Sequence, residues 1–330
     1  MPRPKFGFCI PVFSGASAWD YNLDFRLMKS TIIACERLGF DSLWVPDHLA
    51  MGYKGQIFEC WTVLAAASQL TEKIRLGTLV LAATHRCPAV LAKMAATLDV
   101  LSNGRLELGL GAGWRASEQT SYGLPWEPSV KERIQQLTET VEIIEGMWSN
   151  ESFTYSGSYY NVKDAVCAPK PLQKPHPRIW LGGSGEKLVL KTVAKYADGW
   201  NVGEIPPEEY AHKLRVLRDH CNRLGTDYDH IEKSLETVLL ITDKPEDLEK
   251  VVEWSNWFAG VQAEIKEMKP ATGTLERMRR QYVLGSVPEV TERIAQYVKA
   301  GVEHFMIYFL DYPSMSSMEL FVKEVLPSLS

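Results

Sequence analysis

The feature that most constrains this chain is a rhythm: short apolar runs alternate with longer segments of helical period from one end to the other. Such alternation implies β-α units laid on a parallel sheet. About eight runs read as strands, at 6–10, 42–45, 74–81, 105–110, 178–181, 200–202, 235–241 and 304–309. Between them, 24–38 sets Leu27, Thr31, Ala34 and Leu38 on one helical stripe and stops at Gly39. Helices are also predicted at 88–101, opened by a proline, and at 134–148, where Leu137, Val141, Ile144 and Trp148 share a face. Segments 186–196, 207–224 and 288–300 complete the set, with Gly225 and Gly301 as stops.

Strand-helix units in this number predict a closed (β/α)8 TIM barrel of the α/β class, for which ~250 residues is typical. The chain has 330 residues, so a surplus of about eighty must be insertions. Two stretches fit. The segment 151–177 carries Gly157 between aromatic runs, followed by Pro169, Pro171, Pro175 and Pro177, and reads as a hairpin plus an extended surface segment. The segment 242–285 holds an amphipathic helix around Val251, Trp254, Trp257 and Phe258, then a turn-rich stretch at 269–273, and is long enough to act as a lid. With no internal repeat and no linker, the whole of 1–330 reads as one barrel domain.

Composition removes several function classes. Hydrophobic residues are 45% and charged residues 23%, ordinary for a globular chain. No apolar run reaches the ~18 residues of a membrane span. Lys and Arg number 36 against 41 Asp and Glu, a net charge of -5 without a basic run, so no nucleic-acid footprint exists and any anionic ligand must be caught locally. The N-terminus lacks the apolar stretch of a signal peptide, and the expected location is the cytoplasm. Six scattered cysteines without a C-x-x-C spacing are expected to be reduced, and no His/Cys/carboxylate pattern predicts a metal. Ten Trp and 13 Tyr suit either a large aromatic core or a pocket for a flat ring.

Ligands in such barrels bind at the C-terminal ends of the strands, so polar residues there come first. Strand two ends in Asp47-His48, where a histidine titrating near neutrality could move a proton beside a carboxylate that orients it. A helix-capping Asp with a structural His is the competing reading. Strand four runs into Gly109-Leu110-Gly111-Ala112-Gly113-Trp114-Arg115, where glycines allow close approach to a ring or phosphate, or merely close strand packing. Strand five passes through Gly182-Gly183-Ser184-Gly185 into a predicted helix, so its free amides form a candidate anion cradle, with a plain loop-to-helix turn as the alternative. His85-Arg86, after strand three, could meet an anionic substrate. His176, His212, His220 and His230 fall in surface-like stretches, and His304 opens strand eight at the opposite, stability face.

Four blocks together resemble the bacterial luciferase-like superfamily, particularly its branch using the deazaflavin coenzyme F420. They are 40–48 (FDSLWVPDH), 74–80 continuing to 88–93, 99–105 running on to Gly113-Trp114, and 179–185 (IWLGGSG) with 196–201 (YADGWN). The block 300–305 resembles the family's last strand. The resemblance implies that His48 lies near the reactive carbon of the ring and aids proton transfer, and that Asp47 contacts the flavin or its side chain. It implies a non-prolyl cis peptide at Leu79-Val80, bulging behind the middle ring, and a phosphate-binding loop at Gly183, Ser184 and Gly185. Gly113, Trp114, Ser117 and Gly182 complete the cofactor-binding set it implies. Trp114 stands where the sugar-phosphate dehydrogenases of this family have a catalytic glutamate, and Ser117 replaces an asparagine of some relatives, so a sugar phosphate is not the expected substrate.

The expectation is therefore an F420-dependent oxidoreductase passing a hydride between the deazaflavin and a small organic substrate, with His48 handling the accompanying proton. Lys187, Lys191 and Arg115 are available to the coenzyme's acidic tail. The rival is an FMN-dependent monooxygenase using reduced flavin and oxygen, and a third reading is an idle flavin-binding barrel. A homodimer is implied by the resemblance alone.

Overall fold

The computed structural model describes residues 3–19, 22–261 and 275–329. Its strands are β1 (Lys5–Cys9), β2 (Ser42–Val45), β3 (Arg75–Thr78), β4 (Leu81–Ala82), β5 (Leu106–Gly111), β6 (Phe153–Ser156), β7 (Asn161–Ala165), β8 (Arg178–Gly182), β9 (Gly199–Gly203), β10 (Glu232–Ile241), β11 (Val283–Gly285) and β12 (His304–Phe309). Pairing runs β1-β2-β3-β5-β8-β9-β10-β12, all parallel, and β12 returns to β1 in the register Lys5↔His304, so the barrel closes. The third stave is broken: β3 and β4 flank a cis Leu79-Val80 peptide, and β4 pairs with β5 beyond it. The predicted strand 74–81 is thus two short strands around a bulge.

Helices α1 (Phe25–Arg37), α2 (Cys60–Leu70), α3 (Pro88–Leu101), α4 (Ala116–Ser121), α5 (Val130–Ser149), α6 (Val189–Tyr196), α7 (Pro207–Leu224), α8 (Pro245–Val261), α9 (Leu275–Gln281), α10 (Val287–Ala300) and α11 (Ser316–Leu320) wrap the staves. Local signals explain the ends: Asp24 caps α1 by accepting from the Arg26 and Leu27 amides, and Gly225 and Gly301 stop α7 and α10 in the left-handed region. The sequence reading missed α2. Its core, Trp61 to Ala67, is apolar almost all round, so no amphipathic stripe announces it. It also began α6 at Glu186, three residues early. Lys213 and His212 hold the Glu186 carboxylate and His220 bonds its carbonyl, and the chain turns there before the helix starts.

The first insertion is an antiparallel hairpin, β6 with β7. Within 242–285 lie α8, α9 and β11, the last extending the sheet beside β10. The side chain of Phe258 and the stretch 269–273, both named in the lid expectation, lie outside the described residues.

Two indoles fill the barrel interior. Trp44 and Trp180 meet edge to face at 5.4 Å, and glycines give them room: a Cβ at Gly77 would lie 2.1 Å from the Trp44 ring, and one at Gly199 2.3 Å from that of Trp180. Below them a polar plug closes the N-terminal end. Trp44 Nε1 donates to Ser42 Oγ (2.7 Å), Ser42 meets His304 Nε2 (2.8 Å), and His304 Nδ1 meets Glu232 (2.9 Å). His304 is therefore structural, as its position at the stability face implies. With the lower barrel filled, open space is confined to the C-terminal mouth.

Candidate active site

The mouth holds a cavity of about 420 Å³ lined by the C-terminal ends of the staves and their loops. That volume falls within the range of small-molecule sites. Nearly all the sequence-selected residues converge on it: Asp47, His48, Leu79, Val80, Gly113, Trp114, Gly182, Gly183 and Ser184 line it, whereas Ser117 and Gly185 do not. Ser117 is on the exposed side of α4.

His48 occupies one wall. Its Nδ1 lies 3.0 Å from Glu118 Oε2 on α4, and its ring meets Trp114 edge to face at 5.4 Å. Because a carboxylate only accepts, Nδ1 carries the proton and donates it, which leaves Nε2 to exchange a proton with a ligand. Glu118 also accepts from the amides of Leu49 (2.6 Å) and Ala50 (2.9 Å). Burial opposes its charge, but the His48 bond and charge and these two amides outweigh it and hold the carboxyl below the usual range. Glu118 thus locks both the histidine and the loop that follows it.

Asp47 does different work from its neighbour. Arg86 grips its carboxylate bidentately at 2.7 and 2.9 Å, and His85 Nδ1 lies 3.2 Å away. Burial pushes against ionisation, yet His85 and Arg86 bring the Asp47 pKa down to about 2. Arg86 bonds Glu59 as well (2.8 Å), and Glu59 caps α2 through the amides of Trp61 and Thr62. The Asp47 carboxylate is committed to fixing these loops. Arg86, expected either to meet an anionic substrate or to be a solvated loop charge, is instead held by two carboxylates, while His85 lines the cavity.

The opposite wall is the Leu79-Val80 bulge. Val80 projects across β5 and β8, and it fits because Gly111 and Gly182 lack side chains: a Cβ there would stand 2.8 and 2.9 Å from Val80 Cγ2. These two glycines serve packing of the bulge. At the rim, Gly183 has φ +134, donates to Asn201 O (2.9 Å), and accepts from Trp200 Nε1 (2.9 Å). The amides of Ser184 and Gly185 take no acceptor among the described residues, and exposed Lys187 and Lys191 lie just beyond. Buried Gln119 donates nothing from Nε2 to protein, although its Oε1 is held by Thr84 (2.8 Å). These unused donors and the cradle at Val80 fit a flat ring with an anionic side chain. No group of His, Cys, Asp and Glu among the described residues could hold a metal.

Three further residues were missed in the sequence. Glu118 belongs to a short helix without an apolar stripe. Glu204, which follows β9, and Glu236, within β10, both face the deep end of the cavity. Burial pushes Glu204 up to about 7 against a hydrogen bond from Tyr282, and burial together with the Glu204 charge pushes Glu236 up to about 8. Glu204 also adopts φ +55, a left-handed conformation costing a non-glycine residue about 1 kcal/mol. A charged residue inside an apolar strand, as at Glu236, was the available signal. Trp254 of α8 lines the cavity and donates to Gly15 O (2.9 Å), which sets this part of the second insertion against the site.

Comparison with known proteins agrees with this geometry. A relative described as an F420-dependent glucose-6-phosphate dehydrogenase from Microbacterium testaceum is 32% identical, over 90% of this chain and 91% of its own. One of the same description from Intrasporangium calvum is 31% identical over 92% and 95%. Among solved structures, an F420-dependent secondary alcohol dehydrogenase in complex with an F420-acetone adduct superposes with a TM-score of 0.82, 21% identity and 99% coverage of both chains. The long-chain alkane monooxygenase LadA gives 0.82 at 15% identity, covering 100% of this chain and 91% of its own, and these likenesses show the barrel fold. The family model described as luciferase-like monooxygenase matches residues 4–304, and the chain belongs to that family.

Proposed function

We propose that this chain is a coenzyme F420-dependent oxidoreductase that moves a hydride between the deazaflavin and a small organic substrate. The observation that carries the reading is the full-length kinship with relatives described as F420-dependent dehydrogenases, coupled to a cavity whose bulge, free amides and histidine lie along one slot. The coenzyme, when bound, supplies or accepts the hydride.

This chain's residues do the rest. Val80 backs the ring, and the amides of Ser184 and Gly185 hold the phosphate, with Lys187 and Lys191 near the acidic tail. Trp114 and Trp254 exclude water from the reacting face. His48, oriented by Glu118, exchanges the accompanying proton at Nε2. Holding the reactants in near-attack geometry removes much of the entropic barrier. A homodimer in the cytoplasm completes the reading, which sedimentation and fractionation test. Among the described residues no helix is long and apolar enough to cross a membrane.

Equilibrium dialysis and fluorescence titration of the purified chain with F420 and with FMN test the assignment. Tight F420 binding with weak FMN binding is expected. Tight FMN binding without F420 binding refutes it in favour of a flavin monooxygenase.

A further inference from the structure

We propose that Glu204 and Glu236 form a neighbouring carboxyl pair in the wall of the cavity that selects an uncharged hydroxyl- or carbonyl-bearing substrate over a phosphorylated one. This deepens the reading above and rests on it. The two residues sit on adjacent staves in fixed register: Glu236 pairs with Gly203, and the Glu204 amide donates to the Glu236 carbonyl at 3.1 Å. Gly203 opens the space between them. A Cβ built there would lie 3.6 Å from Glu236 Oε2, so the carboxyl lies over the bare glycine.

Arg293 approaches this side of the barrel, its guanidinium 4.8 Å from the Tyr297 ring and bonded to the Tyr297 hydroxyl (3.4 Å), and among the described residues it makes no bond to either carboxyl. Tyr282 hydrogen-bonds Glu204, Tyr308 and Cys9 face Glu236, and Tyr297 stands on the outer side of Glu204. Arg115 is the one lysine or arginine among the described lining residues; its Nη1 is bonded to Ala50 O at 2.9 Å beside the His48 loop, while its buried Nε has no partner among the described residues. Two neighbouring carboxyls in such a place resist being charged together at neutral pH, because partial burial weakens their hydration and each repels the other. Their shifted values, about 7 and about 8, agree with that.

A neutral carboxyl both donates and accepts hydrogen bonds, so the pair can hold an alcohol or carbonyl oxygen whichever way its proton lies. A phosphate dianion at the pair meets the remaining negative charge, and the cavity's one lining arginine, Arg115, is anchored beside the His48 loop rather than on the carboxyls, which is discrimination by repulsion.

Infrared spectra of the full chain, with and without F420, compare wild type with Glu204→Gln, Glu236→Gln and the double variant. Expected at pH 7 is a protonated-carboxyl band that titrates away above pH 8 and is absent from the double variant. Wild type with no such band overturns the proposal. In parallel, quenching of the cavity tryptophans by glucose 6-phosphate is measured at pH 7. Wild type is expected to bind it at least tenfold more weakly than the double variant, and equal or tighter binding overturns the proposal. Absence of binding to both proteins also overturns it, since removing both charges would then fail to admit the phosphate. Failure of F420 binding with the band intact sinks the functional reading and leaves the carboxyl pair standing, so the two failures are distinguishable.

Discussion

The Asp47–Arg86 pair allows a worked test of what holds the mouth of the barrel in shape. The Asp47 side chain is 0% exposed and that of Arg86 14%, so water can replace neither if the other is removed. The Asp47 pKa falls from an ordinary 3.8 to about 2 on folding, a shift that corresponds to about 2 kcal/mol of stability at neutral pH. Because the folded value is the lower one, this stability is complete above pH ~4 and is lost as pH falls through about 2.

Asp47→Asn is therefore expected to cost at least about 2 kcal/mol at pH 7. Asp47→Ala, which strips Arg86 of two charge-assisted bonds in a buried place, is expected to cost about 3–5 kcal/mol. That is a large part of the ~5–15 kcal/mol that separates folded from unfolded chains. The assay is urea denaturation of wild type and both variants at pH 7, 5 and 3. The difference between wild type and Asp47→Asn should hold from pH 7 to 5 and shrink to about half at pH 3. A cost below about 0.5 kcal/mol at pH 7, or a gap that widens on acidification, would refute the reasoning.

Three further outcomes follow from the same geometry. His48→Ala is expected to lower turnover by about 10²–10⁴ while F420 affinity changes little, as checked by steady-state kinetics beside fluorescence titration; unchanged turnover removes the histidine from the mechanism. Glu118→Gln keeps the shape but loses the charge that orients His48 and accepts from the Leu49 and Ala50 amides, so melting temperature and turnover should both fall, the latter by about tenfold. Gly182→Ala drives a Cβ to 2.9 Å from Val80 Cγ2, and chemical denaturation should register a loss of about 1–3 kcal/mol together with weaker F420 binding.

Particular residues show where the sequence was legible. Runs such as 304–309 and 178–181 announce buried strands because parallel staves covered on both faces are apolar along their length. His48 follows β2, and in this architecture the ends of strands are where ligands bind. The glycine-rich turn at the end of β8 reads as a cradle, and the amides of Ser184 and Gly185 just beyond it take no acceptor among the described residues. By contrast α2 is invisible to periodicity, and the start of α6 moved because α7, far along the chain, holds Glu186 in a turn.

The same contrast runs through the site. Asp47 and His48 are adjacent and look alike as candidates, yet Arg86 consumes one carboxylate while Glu118, 70 residues from the histidine, orients the other side chain. Glu204 has no signal in the sequence, and Glu236 shows only as a charge inside an apolar strand. Their protonation depends on which groups surround them, and that is decided by stave order and register.

The amino-acid sequence by itself determined the alternating β-α pattern, the closed parallel barrel and the end of it that binds ligands, because periodicity and turn residues act over a few positions at a time. Only the tertiary structure decided which carboxylates are paired with a cation, which neighbour each other, and where Val80 finds room. Those outcomes are sums over neighbours that the chain brings together from distant positions, and charge in a low-dielectric interior responds to the whole of that environment.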